Sequence, residues 1–175
     1  MKISEIYNLN KSQAELDFVD INTSEDLPLF LDSAARAHIK SRENVTFLHS
    51  DSQVKFARDV SMSIWQGATV TTVALQIAFH MGFKEVALVG CDHNFAQSGP
   101  PNQLVISGEK DHSHFDPNYF AGGVQWQLPD LVASEYGYSL ARENYSASGR
   151  AIYNCTDGGN LEVFERKSLR EFYDF

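Results

Sequence analysis

The stretch from Gly67 to Phe95, GATVTTVALQIAFHMGFKEVALVGCDHNF, constrains the fold more than any other part of the chain. Val70, Val73, Ala74, Ile77, Ala78 and Met81 recur at intervals of three and four, the period of one apolar helix face. Gly82 follows at the point where a left-handed C-terminal cap belongs. Glu85 to Gly90 is then a short, nearly continuous apolar run, the pattern of a strand covered on both faces in a parallel sheet. The run ends in Asp92, His93 and Asn94. Ligands of open α/β sheets sit at the carboxyl ends of strands, so this polar tip is the first candidate site. The competing reading is that Asp92 and Asn94 only turn the chain.

On either side the pattern repeats in weaker form. Residues 1–15 show no periodicity and read as a loose lead-in, and Leu16–Ile21 alternates like an exposed strand. Asn22, Thr23 and Ser24 offer helix caps, and the spacing predicts a helix through Leu29, Phe30, Ala34, Ala35 and Ile39. Val45–Leu48 reads as a strand running into the polar His49–Ser52, residues 53–59 as a short helix, and Met62–Trp65 as a short apolar piece. Residues 96–123 form a long Gly-, Pro-, Asn- and His-rich loop, a length that usually marks a binding loop or lid. A second helix is expected over Gln127–Tyr145, with Leu128, Val132, Tyr136 and Leu140 on one row and Gly149 closing it. Arg150–Asn154 reads as a strand, Thr156–Asn160 as a turn or phosphate-sized loop, and the tail as a short apolar stretch followed by a charged helix. Strand–helix alternation of this kind predicts a three-layer, Rossmann-like α/β sandwich with a mostly parallel sheet, formed by residues 1–175 as one domain.

With 175 residues, 43% of them hydrophobic, one ordinary core is within reach. A net charge of −9 argues against a nucleic-acid or anionic-membrane surface, and no apolar run spans a bilayer. Cys91 and Cys155 lack CxxC spacing and the N-terminus is not a signal peptide, so a cytoplasmic protein is expected.

Three polar groups can carry chemistry. They are Asp92, His93 and Asn94 at the strand tip; Asp111, His112, His114 and Asp116 in the long loop; and Asn154, Thr156, Asp157, Gly158 and Gly159 after the last strand. His114 or His93 can act as a general acid or base near neutral pH. Asp92, His93, His112, His114 and Asp116 hold enough imidazole and carboxylate for zinc, but HExxH spacing is missing and no metal site is assigned. Gly158 and Gly159 suit either a backbone nest for phosphate or an ordinary turn. Tyr119, Phe120 and Trp126 suit a stacking wall or core anchors.

The segments GATVTTVALQIAFHMGFKEVALVGCDHNF, HFDPNYFAGG, WQLPDLVASEYGYSLAR and IYNCTDGGNLEVFER, in this order and strongest over about 65–166, resemble the MptE-like, or 6-hydroxymethylpterin diphosphokinase-like, domain. That domain is shared with motility-associated-factor glycosyltransferases and is similar to bacterial sialyltransferases that use a CMP-activated sugar. The resemblance implies a nucleotide-dependent transferase, first a glycosyltransferase of surface glycan or flagellin, with Ser113-His114-Phe115 supplying the catalytic base and Gly90-Cys91-Asp92 the strand-end acid. It implies a small-molecule nucleotide or nucleotide-sugar held near Asp92, His93, Asn94, Asp116, Asn118, Tyr119, Asn154, Thr156, Gly158 and Gly159, and a glycan or protein acceptor. No nucleic-acid partner is expected; self-association into a homo-oligomer is compatible. The residues specify no cofactor; the resemblance implies a CMP-type donor. Under the family's other chemistry, diphosphate transfer to a hydroxymethylpterin, it implies ATP with Mg²⁺. Family members open with a strand and a G-x-G-P-S-L phosphate loop, whereas the first glycine here is Gly67. This departure leaves three readings: a shortened transferase, a fragment, or an idle nucleotide-, sugar- or partner-binding module.

Overall fold

The computed structural model describes residues 28–95, 99–109, 122, 123 and 125–173. Its first element corrects the expected helix at Leu29. Leu29–Asp32 is a strand, β1, paired in parallel with β2, Val45–Leu48, in the register Leu29↔Val45 to Asp32↔Leu48. Three consecutive apolar residues serve both faces of a strand, and Asp32 then caps a short 3₁₀ turn, Ser33–Ala37, by accepting from Ala34 N at 2.8 Å. Helix therefore begins four residues later than the periodicity suggests. Leu31, Ala35, Ile39 and Val45 close a small core around this crossover.

The chain continues through β3, Ser50–Asp51, which pairs in parallel with β4, Ile64–Trp65. No helix forms over residues 53–59. Gln76, fully buried, replaces it as an organiser: its Oε1 accepts from Ala57 N and Trp65 N, and its Nε2 donates to Trp65 O and Thr72 O. One amide thus satisfies backbone groups that regular structure would otherwise pair.

Helix α1, Val70–His80, starts on Thr69, whose hydroxyl accepts from Thr71 N, and ends at Gly82 with φ +90°. Its buried face is rotated from the expected one: Thr72, Val73, Leu75, Gln76 and Phe79 are buried, whereas Ala74 and Met81 are exposed. The helix meets two clusters, Leu75 and Phe79 on one and Val73 and Ile77 on another. Strand β5, Glu85–Leu88, follows; Val89 is exposed, so coverage on both faces stops at Leu88.

Within the segment expected to be a loop, β6, Leu104–Ile106, pairs antiparallel with β7, Gln125–Gln127. That pairing takes Gln127 out of the second helix. Helix α2 is Leu131–Ser146, capped by Asp130 accepting from Ala133 N at 2.9 Å. Its buried face is Ser134, Gly137, Tyr138, Ala141 and Tyr145, not the row through Val132 and Tyr136, which are exposed. Small residues and tyrosines face inward because α1 lies close against them. A Cβ on Gly137 would stand 2.9 Å from Thr72 Oγ1.

Strand β8, Ala151–Asn154, pairs in parallel with β5, and β9, Glu165–Arg166, with β8. Helix α3, Leu169–Tyr173, closes the described chain, with Ser168 and Glu171 in a reciprocal cap. Among the described residues four of the five strand pairs are parallel, the mark of an α/β protein. The main core joins α1, α2, β5 and β8 through Leu75, Phe79, Leu88, Tyr138, Tyr145 and Ile152. Tyr145 is its centre, with its ring 5.1 Å from Phe79 and its hydroxyl donating to Leu75 O at 2.9 Å. Among the described residues no helix is long and apolar enough to cross a membrane.

Candidate functional site at the tip of β5

The parallel pairing of β5 with β8 carries both strands to the same edge and brings two of the three polar groups together. Cys155 N donates to Leu88 O at 2.8 Å, and Cys91 N to Thr156 Oγ1 at 3.0 Å. One turn further, Asn160 N donates to Asp92 O at 2.6 Å. The approach is closest at Gly159 (φ +80°), where a Cβ would stand 2.3 Å from Asp92 O. Only a residue without a side chain fits there. The glycine pair thus packs the loop after β8 onto the tip of β5.

Each tip residue has its own role. Asp92 Oδ1 accepts from Asn94 N at 3.1 Å, an Asx turn that reverses the chain. His93 adopts φ +57°, in the left-handed region. Its side chain is only 9% exposed and its Nε2, with no hydrogen-bond partner among the described residues, lies 3.8 Å from Glu135 Oε1. The ring sits 5.9 Å from that of Tyr138, whose phenol burial pushes above its usual range. Asn94 is exposed at the rim.

Asn154 and Thr156 support the loop from beneath. Asn154 is 1% exposed; its Nδ2 donates to Leu161 O at 2.9 Å, and its Oδ1 accepts from Thr156 N at 3.0 Å. Arg166, which the sequence reading did not single out, holds the loop from the other side. Its Nη1 donates to Gly158 O at 2.8 Å and its Nη2 to Gly159 O at 2.9 Å, with longer bonds to Thr156 O and Leu161 O. Carbonyls of the glycine turn are therefore committed to a guanidinium. The signal for it was the lone arginine closing VFER, but nothing local to that arginine says which carbonyls it meets.

Beside the tip lies a cavity of about 330 Å³ lined by His93, Asn94, Phe95, Gly99, Leu128, Pro129, Leu131 and Asn160. It joins the end of β5, the loop after β8 and the start of α2, with amides and an imidazole set among apolar carbons. Its lining is polar and apolar in about equal measure, and a concave hollow with a few converging polar groups is where a small molecule is expected to bind. His114, Asp116, Asn118 and Tyr119, with Asp111, His112 and Phe120, lie outside the described residues. Trp126 is half-buried on β7 opposite Val105. Among the described residues no three His, Cys, Asp or Glu side chains are grouped to hold a metal ion.

A second polar cluster, also not foreseen, sits where β1 and β4 end and β3 begins. Ser50 Oγ donates to Asp32 Oδ2, and Gln66 Nε2 bridges Asp32 Oδ2 at 3.1 Å and Ser50 Oγ at 2.8 Å. Asp32 is buried and also caps the 3₁₀ turn, so the cluster ties three strands at one edge.

Comparison with known proteins finds no family model, curated protein or solved structure that matches this chain.

Proposed function

We propose that this chain is a nucleotide-dependent transferase of the glycosyltransferase type, built on a Rossmann-like sandwich and working in the cytoplasm. Its donor, in this reading a CMP-type nucleotide-sugar, occupies the cavity at the tip of β5. His114 takes the proton from the attacking hydroxyl. The observation that supports the reading is the joining of Asp92, His93 and Asn94 to Thr156–Asn160 beside a cavity of about 330 Å³ at a strand's carboxyl end. That is the position and size expected for a small-molecule substrate in such a fold. The resemblance to MptE-like domains and sialyltransferases supplies the reaction class.

One observation favours a second reading, a binding module without turnover. Arg166 engages the carbonyls of Gly158 and Gly159, and Asp92 Oδ1 accepts from Asn94 N, so both polar groups already serve to hold the two loops together. Assaying the purified chain with a CMP-activated sugar and a panel of hydroxyl acceptors separates the two. Release of CMP that His114→Ala abolishes without lowering the melting temperature supports the transferase. Donor binding without CMP release across the acceptor panel supports the module. Turnover retained in His114→Ala removes the assigned base.

A further inference from the structure

We propose that Arg166 is the positioning residue of the candidate site: its guanidinium fixes the middle of the loop after β8 and turns the loop's N–H groups towards the tip of β5. The assignment rests on the reading of that tip and loop as one ligand site and adds what holds the site in shape. Asn154 and Arg166 stand opposite one another where β8 pairs with β9, and both side chains reach into the same loop. They divide it between them. Asn154, 1% exposed, bonds the two ends, Thr156 N and Leu161 O. Arg166 meets those ends only at 3.4 Å, and its short bonds fall on the middle, from Nη1 to Gly158 O at 2.8 Å and from Nη2 to Gly159 O at 2.9 Å. Glu162 Oε1 accepts from Nε at 3.2 Å and keeps the planar fork from turning.

The orientation of two peptides follows. In a trans peptide the N–H points opposite to the preceding carbonyl. Turning Gly158 O and Gly159 O towards Arg166 therefore turns the N–H groups of Gly159 and Asn160 away from it. Asn160 N then lands on Asp92 O at 2.6 Å, and Asn160 lines the cavity together with His93 and Asn94. A side chain on β9 thus sets one wall of the cavity through two rigid peptide planes. The glycines need such a hold, because without side chains they have the most backbone freedom to lose. Both are exposed and the Arg166 side chain is 32% exposed, so water takes over the two carbonyls when the guanidinium is removed. The turn loosens while the fold stays. A ligand that requires the ordered turn then meets only the fraction of molecules that have it, and its apparent affinity falls by that fraction. Lysine is no substitute, since an ammonium is a point charge that cannot span two carbonyls as the fork does.

Amide NMR and thermal denaturation of the full chain test the proposal on Arg166→Ala, Arg166→Lys and Asn154→Ala. Without ligand, both Arg166 variants shift the amides of Gly158–Asn160 and speed deuterium exchange at Asn160 roughly tenfold or more, while the melting temperature falls by less than about 3 °C. Asn154→Ala lowers it further. Titrated with CMP, both Arg166 variants bind roughly tenfold more weakly or worse. Unchanged loop amides in Arg166→Ala, parent-like amides in Arg166→Lys, or a melting temperature that falls further in Arg166→Ala than in Asn154→Ala, overturns the proposal. A parent chain that binds no CMP, with the ligand-free changes present, leaves Arg166 its positioning role and counts against the transferase. Equal CMP binding by the parent and both Arg166 variants leaves the ligand site standing and removes that role.

Discussion

Gly159→Ala perturbs the contact that assembles the candidate site, and its cost follows from the geometry. The new Cβ would lie 2.3 Å from Asp92 O, 2.6 Å from Asp92 Cα and 2.8 Å from Asp92 C, all backbone atoms that no rotamer change can move. Relief requires the glycine turn to back away by about 1 Å, which breaks the bond from Asn160 N to Asp92 O, worth about 1 kcal/mol. Holding alanine at φ +80° adds roughly 1–2 kcal/mol. The total, roughly 2–3 kcal/mol, corresponds to a fall in melting temperature of roughly 4–12 °C for a chain this long. Gly158→Ala is the internal control. It has φ +72° but nothing within 4 Å of its Cβ, so it incurs the backbone term alone, about 2–8 °C. Thermal denaturation followed by circular dichroism reads both variants in one experiment. Melting temperatures within about 2 °C of each other would refute the claim that Gly159 packs on Asp92.

Three further outcomes are expected. Asn154→Ala strands Thr156 N and leaves Leu161 O with only the long bond from Arg166 Nη2, destabilises by about 1–3 kcal/mol in urea denaturation, and frees the loop amides to exchange with deuterium. Gly137→Ala sets a methyl 2.9 Å from the buried Thr72 hydroxyl and costs about 1–3 kcal/mol in spite of better helix propensity; Thr72→Ala in the same chain recovers part of it, a coupling that a double-mutant cycle measures. Burial pushes the Tyr145 phenol up to about 12, so the folded chain keeps a proton that the unfolded chain gives up near pH 10. Its stabilising effect is complete below about pH 10 and is lost as pH rises from there towards 12, a decline that urea midpoints should register and that Tyr145→Phe should flatten.

Elements whose signal is local were legible in the sequence. Helix α1 and its Gly82 stop, the strands at Val45 and Ala151, and the polar tip after β5 all rest on spacing and capping chemistry within a few residues. Which face each helix buries was not, because that depends on what packs opposite. Thr72 and Gly137 are inward since two helices approach closely there, while the more apolar Val132 and Tyr136 point outward. Leu29–Asp32 was misread because a run of three apolar residues fits one helical face or two strand faces equally, and only the partner Val45–Leu48 decides. The parallel pairing of β5 with β8 is what brings Asp92 to Gly159, and the parts of Arg166 and Gln76 were not legible in the sequence. Each acts by side-chain bonds to backbone groups in other segments, and composition carries no trace of such partners.

The central claim is that the tip of β5 and the loop after β8 form one ligand site, and amide chemical shifts report on it residue by residue. In a titration of the ¹⁵N-labelled chain with CMP, the account predicts saturable shifts concentrated at Cys91–Asn94 and Thr156–Asn160. Shifts confined to other parts of the chain, or none at millimolar nucleotide, would contradict it.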